Sequence, residues 1–326
     1  MATADGSLTP APDEAPARAP TPRARVVVAL LIGLASGVAA AYAARGGASD
    51  FRAWHIGAQL LLSGTDPYTV PPRSALWPFA EPLYYPLPAL LVAAPVASIP
   101  LPLAAGLLIG ASSAVLAWWL TASAWWTLWL FATPSFLMVI ELGQWSPAVI
   151  LGVAIPWLGA LLAVKPNLGA ALFVWRPSWR AVAMATAVGA LSLLILPHWP
   201  AEWLHNLGTL EKHPAPLFSW RGAWLWLALL RWRSRDARLL LGMAAVPQLL
   251  YFADQLPLFL LARSRTQAAG MAFAALLAWL AWYAGLGGAD FYVAKAEWYV
   301  LVGVYLPALV LVLRRPPVVS DEVAGR

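Results

Sequence analysis

Residues 26–44 and 101–120 carry no charged side chain. Each has the length a helix needs to cross a bilayer, about 20 residues. Several further apolar runs follow between 124 and 313. The chain is 61% hydrophobic and only 11% charged, whereas a soluble domain carries about 25% charged residues. Most of it is therefore expected in lipid, as an all-α polytopic helical bundle of about ten transmembrane helices. This excludes a soluble nucleic-acid binder, and the net charge of +6 reads as topology because the basic residues stand at the ends of apolar runs. The 20 Trp suit side chains at headgroup level, where indole buries its ring and keeps its N–H hydrated. With no Cys, disulfides, thiolate metal sites and a thiol nucleophile are excluded.

Residues 1–24, rich in Ala, Pro and Thr, are expected to form a disordered cytoplasmic tail. They lack the order of a signal peptide, so the helix that follows is expected to be retained. The transmembrane domain is expected over 25–315, with a second cytoplasmic tail at 316–326. Arg18, Arg23 and Arg25 place the N-terminus inside, and Arg314-Arg315 does the same for the C-terminus. Asp50 then emerges outside, at the start of a first external loop, about 46–85. The run 86–98 is expected to dip into the membrane and turn at Pro100. Residues 124–140 bend at Pro134, and 148–163 is expected to cross from an external Gln144 to a cytoplasmic Lys165. Residues 166–175 are expected at the interface. A second external loop, 197–222, holds three of the four His residues. Residues 239–262 are expected to form a short hairpin-like pair around Tyr251–Gln255, with Asp254 inside it.

Asp50 is the leading candidate for chemistry. A helix N-cap is its ordinary role, worth about 1 kcal/mol, and one oxygen can cap while the other faces a substrate. The helix it starts places Phe51, Trp54, Ala58 and Leu61 on one face, which is expected to lie on the membrane. Gly64 fits its C′ position and Asp66-Pro67 the turn beyond. Arg52 binds a phosphate or snorkels to headgroups. His55 faces a polar cleft or is an interfacial hydrogen-bonding residue. Tyr84-Tyr85-Pro86 stacks on a sugar or lipid, or belongs to an aromatic belt. Lys165 doubles as a positive-inside anchor. Gln144 and Glu141 lie between apolar runs and need polar partners, and Asp254 is an intramembrane acid, a functional candidate by default. His198, His205, Glu211, Lys212, His213 and Arg221 offer either cations for a phosphate leaving group or a solvated loop. The histidine spacings match no common zinc pattern, so no metal is expected. No phosphate-binding loop, dinucleotide fingerprint or nucleophile elbow occurs.

In order, Asp50-Phe51, Ser63-Gly-Thr-Asp-Pro-Tyr68, Tyr85-Pro86-Leu-Pro88, Gly143-Gln144, Lys165-Pro166 and Tyr251-Phe-Ala-Asp254-Gln255 resemble glycosyltransferase family 87. This is the mannosyltransferase-like branch of the GT-C superfamily, and the resemblance covers roughly Asp50 to Arg265. It implies a plasma-membrane enzyme without cofactors that moves mannose or another sugar from a polyprenyl-phosphate donor to a lipid or glycan acceptor on the outer face. The family's catalytic acid corresponds to Asp50, as general base in an inverting displacement. Arg52, His55, Tyr85, Gln144, Lys165, His205, Lys212, Arg221 and Asp254 are the candidates for donor or acceptor binding. Two departures stand out: the helices between Gln144 and Lys165 are compressed, and Phe218-Ser219 replaces an Asn-Ser pair frequent in the family. The rival readings are a polytopic lipid or solute transporter and a lipid-binding relative without activity.

Overall fold

A computed structural model describes residues 20–46, 50–209, 214–248, 250–285 and 296–316. Among these the regular structure is helical throughout, with no strand. Four helices are long and apolar enough to cross a membrane: α1 (Pro22–Ala43), α4 (Leu101–Leu120), α11 (Arg265–Gly285) and α12 (Glu297–Arg314). Two bent pairs raise the number among the described residues to six at most, short of the ten expected. The chain has the make-up of a helical membrane-embedded protein.

The shortfall has a physical cause. Apolar runs that hydropathy reads as spans fold here as shorter, broken pieces. Residues Trp125–Ala132, Pro156–Ala163, Ala223–Arg231 and Phe252–Leu261 are 3₁₀ helices. At about 2 Å per residue none of them reaches across a hydrocarbon layer of about 30 Å. The first joins α5 (Pro134–Leu142) at 58° through Thr133, whose hydroxyl caps the Phe136 N–H ahead of Pro134. The second follows α6 (Ser146–Ala154) across a break at extended Ile155. Similarly, α8 (Trp179–Ile195) turns through 101° into α9 (Trp199–Leu207).

Helices α1 and α4 pack back to back through glycine. A Cβ on Gly37 would lie 2.7 Å from the Gly106 carbonyl oxygen, and one on Gly110 would lie 2.9 Å from that of Gly33. The two Gly-x-x-x-Gly faces thus let the backbones touch, the packing mode of lipid-embedded helices. The other side of α1, with Leu30, Leu34 and Val38, is exposed. Thr21 caps α1, so the helix begins before the tail boundary expected at residue 24.

One end of the bundle is basic. Arg25 donates to the Trp118 carbonyl at 2.7 Å and lies over the Trp118 ring, while Arg176 lies over Trp119. Burial and the neighbouring Arg235 charge bring Arg176 below the usual arginine range. Asp236, buried at the start of α10 (Arg235–Ala245), accepts from Arg263 and forms an ion pair with Arg315 as well. The opposite end carries α2 (Asp50–Leu62), tied to the turn between α3 (Leu87–Ala97) and α4: Gln59 donates to Ala97 O at 2.9 Å and His55 to Ile99 O at 3.2 Å.

Helix α2 does not lay its apolar face on lipid. Phe51, Trp54 and Ala58 are fully buried in protein, and Trp54 stacks on Trp145, with ring centroids 4.2 Å apart. Gly64 ends the helix at φ +78° and the Asp66 carboxylate takes the Tyr68 N–H, as turn chemistry requires.

Candidate functional site

Four polar side chains from four separate segments meet in one hydrogen-bonded row. Asp50 opens α2, and Gln144 sits in the break between α5 and α6. Lys165 immediately precedes α7 (Pro166–Trp175), and Asp254 lies in the 3₁₀ segment Phe252–Leu261. The Gln144 amide nitrogen donates to Asp50 Oδ2, and its oxygen accepts from Lys165 Nζ at 3.0 Å. Lys165 Nζ in turn lies 2.5 Å from Asp254 Oδ1. Only this orientation of the amide sets an N–H against the carboxylate and a C=O against the ammonium. The reverse would be repulsive at both ends.

The backbone explains why these groups meet. Gly143 adopts φ +66°, which favours glycine, and a Cβ there would lie 2.5 Å from the Cβ of Phe51. That close approach brings the residue after Gly143 onto the residue before Phe51. Ser146 then donates to the Ala253 carbonyl at 2.9 Å, tying the break to the segment that carries Asp254. Below the row, Phe51, Trp54 and Trp145 form an apolar floor.

Asp50 is exposed, Gln144 is buried, and Lys165 and Asp254 keep part of their side-chain surface accessible, so the row runs inward from an open recess at Asp50. Desolvation of its carboxyl among these groups raises it above the ordinary aspartate value. Lys165 opposes the shift, Asp254 adds to it, and the Gln144 hydrogen bond lowers it. Among the described residues the Asp50 carboxylate receives Gln144 and no backbone N–H, so it makes no capping bond to them.

Tyr85 borders the same recess. Burial pushes its phenol well up, the Asp50 and Asp254 charges push the same way, and the Gln144 side chain opposes them. Its position is fixed from α9 and from the turn after α2: Trp203 donates to Tyr84 O at 2.8 Å, Asn206 to Leu83 O at 3.2 Å, and Tyr68 to Tyr85 O at 2.9 Å.

The position of Lys165 corrects the expected topology. Lys165 does not lie across the membrane from Gln144, because α6 and the 3₁₀ segment after it run out and back. Arg176, ten residues after Pro166, does reach the basic end, over Trp119. Helix α7 therefore runs inward from the recess toward that end, with Leu168, Ala171 and Leu172 buried, instead of lying at the interface. Asp254 lies inside the 3₁₀ segment and not at the turn of a hairpin; α10 ends at Ala245, and the described residues 246–248, 250 and 251 belong to no helix.

The remaining candidates lie elsewhere. Arg52 and His55 project from a different face of α2 into an open cleft of about 400 Å³ with Gln59, Ile99 and Leu101. Burial holds the His55 imidazole below its usual range, against the carbonyls of Ile99 and Val96. His205 is exposed on α9, and Arg221 forms an ion pair with Glu297 at 2.6 Å. Neither joins the row. Lys212, with Glu211 and His213, falls outside the described residues.

One grouping has no signal in the sequence. Asp66, in the turn after α2, meets His198 and Glu202 of the second loop, with His198 Nε2 at 3.2 Å from Asp66 Oδ2 and 3.5 Å from Glu202 Oε1. Their donor atoms lie within 4.8 Å of one another, so a divalent cation fits; a protonated imidazole between two carboxylates satisfies the same geometry. The separation of 132 positions between Asp66 and His198 hides the set from spacing rules.

No family model, curated protein or solved structure matches the chain.

Proposed function

We propose that this protein is an integral-membrane glycosyltransferase that uses a polyprenyl-phosphate sugar, with Asp50 as general base, on a GT-C-like scaffold. The observation that supports it most is the pairing of an accessible carboxylate with a cation in one recess, on the side of the bundle away from the cluster of Arg25, Arg176, Arg263 and Arg315. By the positive-inside rule the arginine end is cytoplasmic, so the recess opens on the outer face, where a lipid-linked donor presents its phosphate at headgroup depth.

In this reading an acceptor hydroxyl attacks the anomeric carbon as the bond to the phosphate oxygen breaks, through an oxocarbenium-like transition state. The phosphate departs with the electron pair. The hydroxyl proton passes to Asp50, a contribution of about 10²–10⁴-fold in rate, and the anomeric centre inverts. A phosphate leaves already charged and needs a cation rather than an acid. Lys165 takes that part, since it stands one amide away from Asp50, whereas Arg221 pairs with Glu297 outside the row. Tyr85 supplies an aromatic wall for the sugar. Mannose is the first sugar to try.

A second reading, a coupled transporter, draws on the same place: three helix breaks converge on buried charge, as at transporter binding sites. Purified protein in liposomes, given radiolabelled polyprenyl-phosphate sugars, separates the two. Transfer by the wild type and its loss in Asp50→Asn is the expected result. Equal transfer by both proteins overturns the base assignment, and solute uptake without transfer favours the transporter.

A further inference from the structure

The row Asp50–Gln144–Lys165–Asp254 contains more than a base and a cation. The Gln144 amide spans them, and it is held at both ends: Lys165 fixes its oxygen and Asp50 receives its N–H. Asp50 Oδ2 is thereby occupied, while Oδ1 takes no hydrogen bond from the described residues. Lys165 is itself shared, because Asp254 lies closer to it, at 2.5 Å, than the Gln144 oxygen does at 3.0 Å.

We infer that Lys165 and Gln144 are positioning residues for Asp50, and that Asp254 sets how strongly they act. Lys165 orients the amide, the amide holds Oδ2, and Oδ1 is left pointing to the recess as the oxygen that receives the proton. Without the ammonium, the amide loses the partner that keeps its oxygen away from Asp50. Without the Asp254 charge, the ammonium is released from its competitor and bears more fully on Gln144. The two changes thus push Asp50 in opposite directions. The groups facing Asp50 are few enough for that sign to be read: Lys165 from the start of α7, Asp254 from the 3₁₀ segment, Tyr85 from the loop before α3, and Gln144 between α5 and α6.

The part Asp50 plays as base rests on the transferase reading, but its ionisation does not, so the test uses no sugar transfer. Infrared difference spectra of the purified full-length protein, recorded against pH, isolate the Asp50 carboxyl band as the one lost in Asp50→Asn. Lys165→Met is expected to move the Asp50 midpoint up by about one pH unit, as loss of a neighbouring opposite charge does. Asp254→Asn, which keeps a hydrogen-bonding side chain, is expected to move it down, and Lys165→Arg to leave it close to wild type. In a Gln144→Leu background both displacements should shrink by roughly half or more, the signature of coupling through that side chain. Shifts of the same sign in Lys165→Met and Asp254→Asn, or none in either, overturn the inference. Undiminished shifts in the Gln144→Leu background overturn the part given to the amide. Should Asp50 titrate as expected while no donor is consumed, the transferase reading fails and the coupling stands.

Discussion

Lys165 and Gln144 touch side chain to side chain at 3.0 Å, although they stand 21 positions apart with two apolar segments between them. A straight helix of that length would carry its ends about 30 Å apart. The break at Ile155 folds the path back instead, so both residues belong to one aqueous compartment. The chain has no native Cys, which makes the test direct. Gln144→Cys and Lys165→Cys, in separate proteins in sealed vesicles, should react with a membrane-impermeant thiol reagent from the same side. Labelling from opposite sides would contradict the folded-back path.

Gly143→Ala should damage the recess without changing helix content. A non-glycine residue in the left-handed region costs about 1–3 kcal/mol, and here the new methyl also meets Phe51. Relief requires α2 and the α5–α6 break to separate, which parts Asp50 from Gln144. Thermal unfolding in detergent should show the lower stability, and transfer should fall at least about tenfold for a displacement on this scale.

The pH dependence of transfer follows from the direction in which Asp50 is shifted. A base works in its ionised form, and the surrounding protein raises this carboxyl above the ordinary aspartate value, with Lys165 pulling the other way. At any acidic pH less of it is ionised than for a free aspartate. The rate should therefore drop about tenfold per pH unit below a midpoint lying above the normal aspartate range, and level off above it. Asp50→Glu should retain such a limb with a lower plateau. Asp50→Asn should show none.

Gly110→Leu tests the contact between α1 and α4. The added side chain meets the Gly33 carbonyl and Gly37 Cα, so the helices must separate along their length. Overpacking of this kind costs about 1–3 kcal/mol, and the variant should unfold at a lower temperature or denaturant dose. Substitution at exposed Leu34, on the opposite side of α1, should be nearly silent by the same measurement.

What could be read in advance divides along a physical line. Helices α1, α4, α11 and α12 follow from apolar length alone, and Gly64 and Asp66 from turn chemistry that is local in sequence. Residues 148–163 and 252–261 are as apolar as a true span, because hydropathy records transfer to lipid and not the rise per residue, so their broken and 3₁₀ forms were invisible. Lys165 was misplaced for a related reason: the positive-inside rule assumes that a charge at the end of an apolar run marks a membrane surface. Here it marks an internal recess where Gln144 and Asp254 compensate the charge. Gln144 needed a polar partner, but that the partners would be Asp50 and Lys165 depends on contacts across 94 and 21 residues.

The order in which the chain is synthesised gives the Lys165–Asp254 pair a further significance. Lys165 leaves the ribosome 89 residues ahead of its counter-ion, among buried apolar neighbours such as Val164 and Leu168. During that interval the half-made protein holds an ammonium with no carboxylate beside it, unless the Asp50 side of the recess shelters it through Gln144. The direct ion pair at this spot therefore forms late in biogenesis. A nascent chain arrested before Asp254 would present a lysine without its contacting carboxylate, the kind of feature by which membrane quality control can recognise an unfinished product.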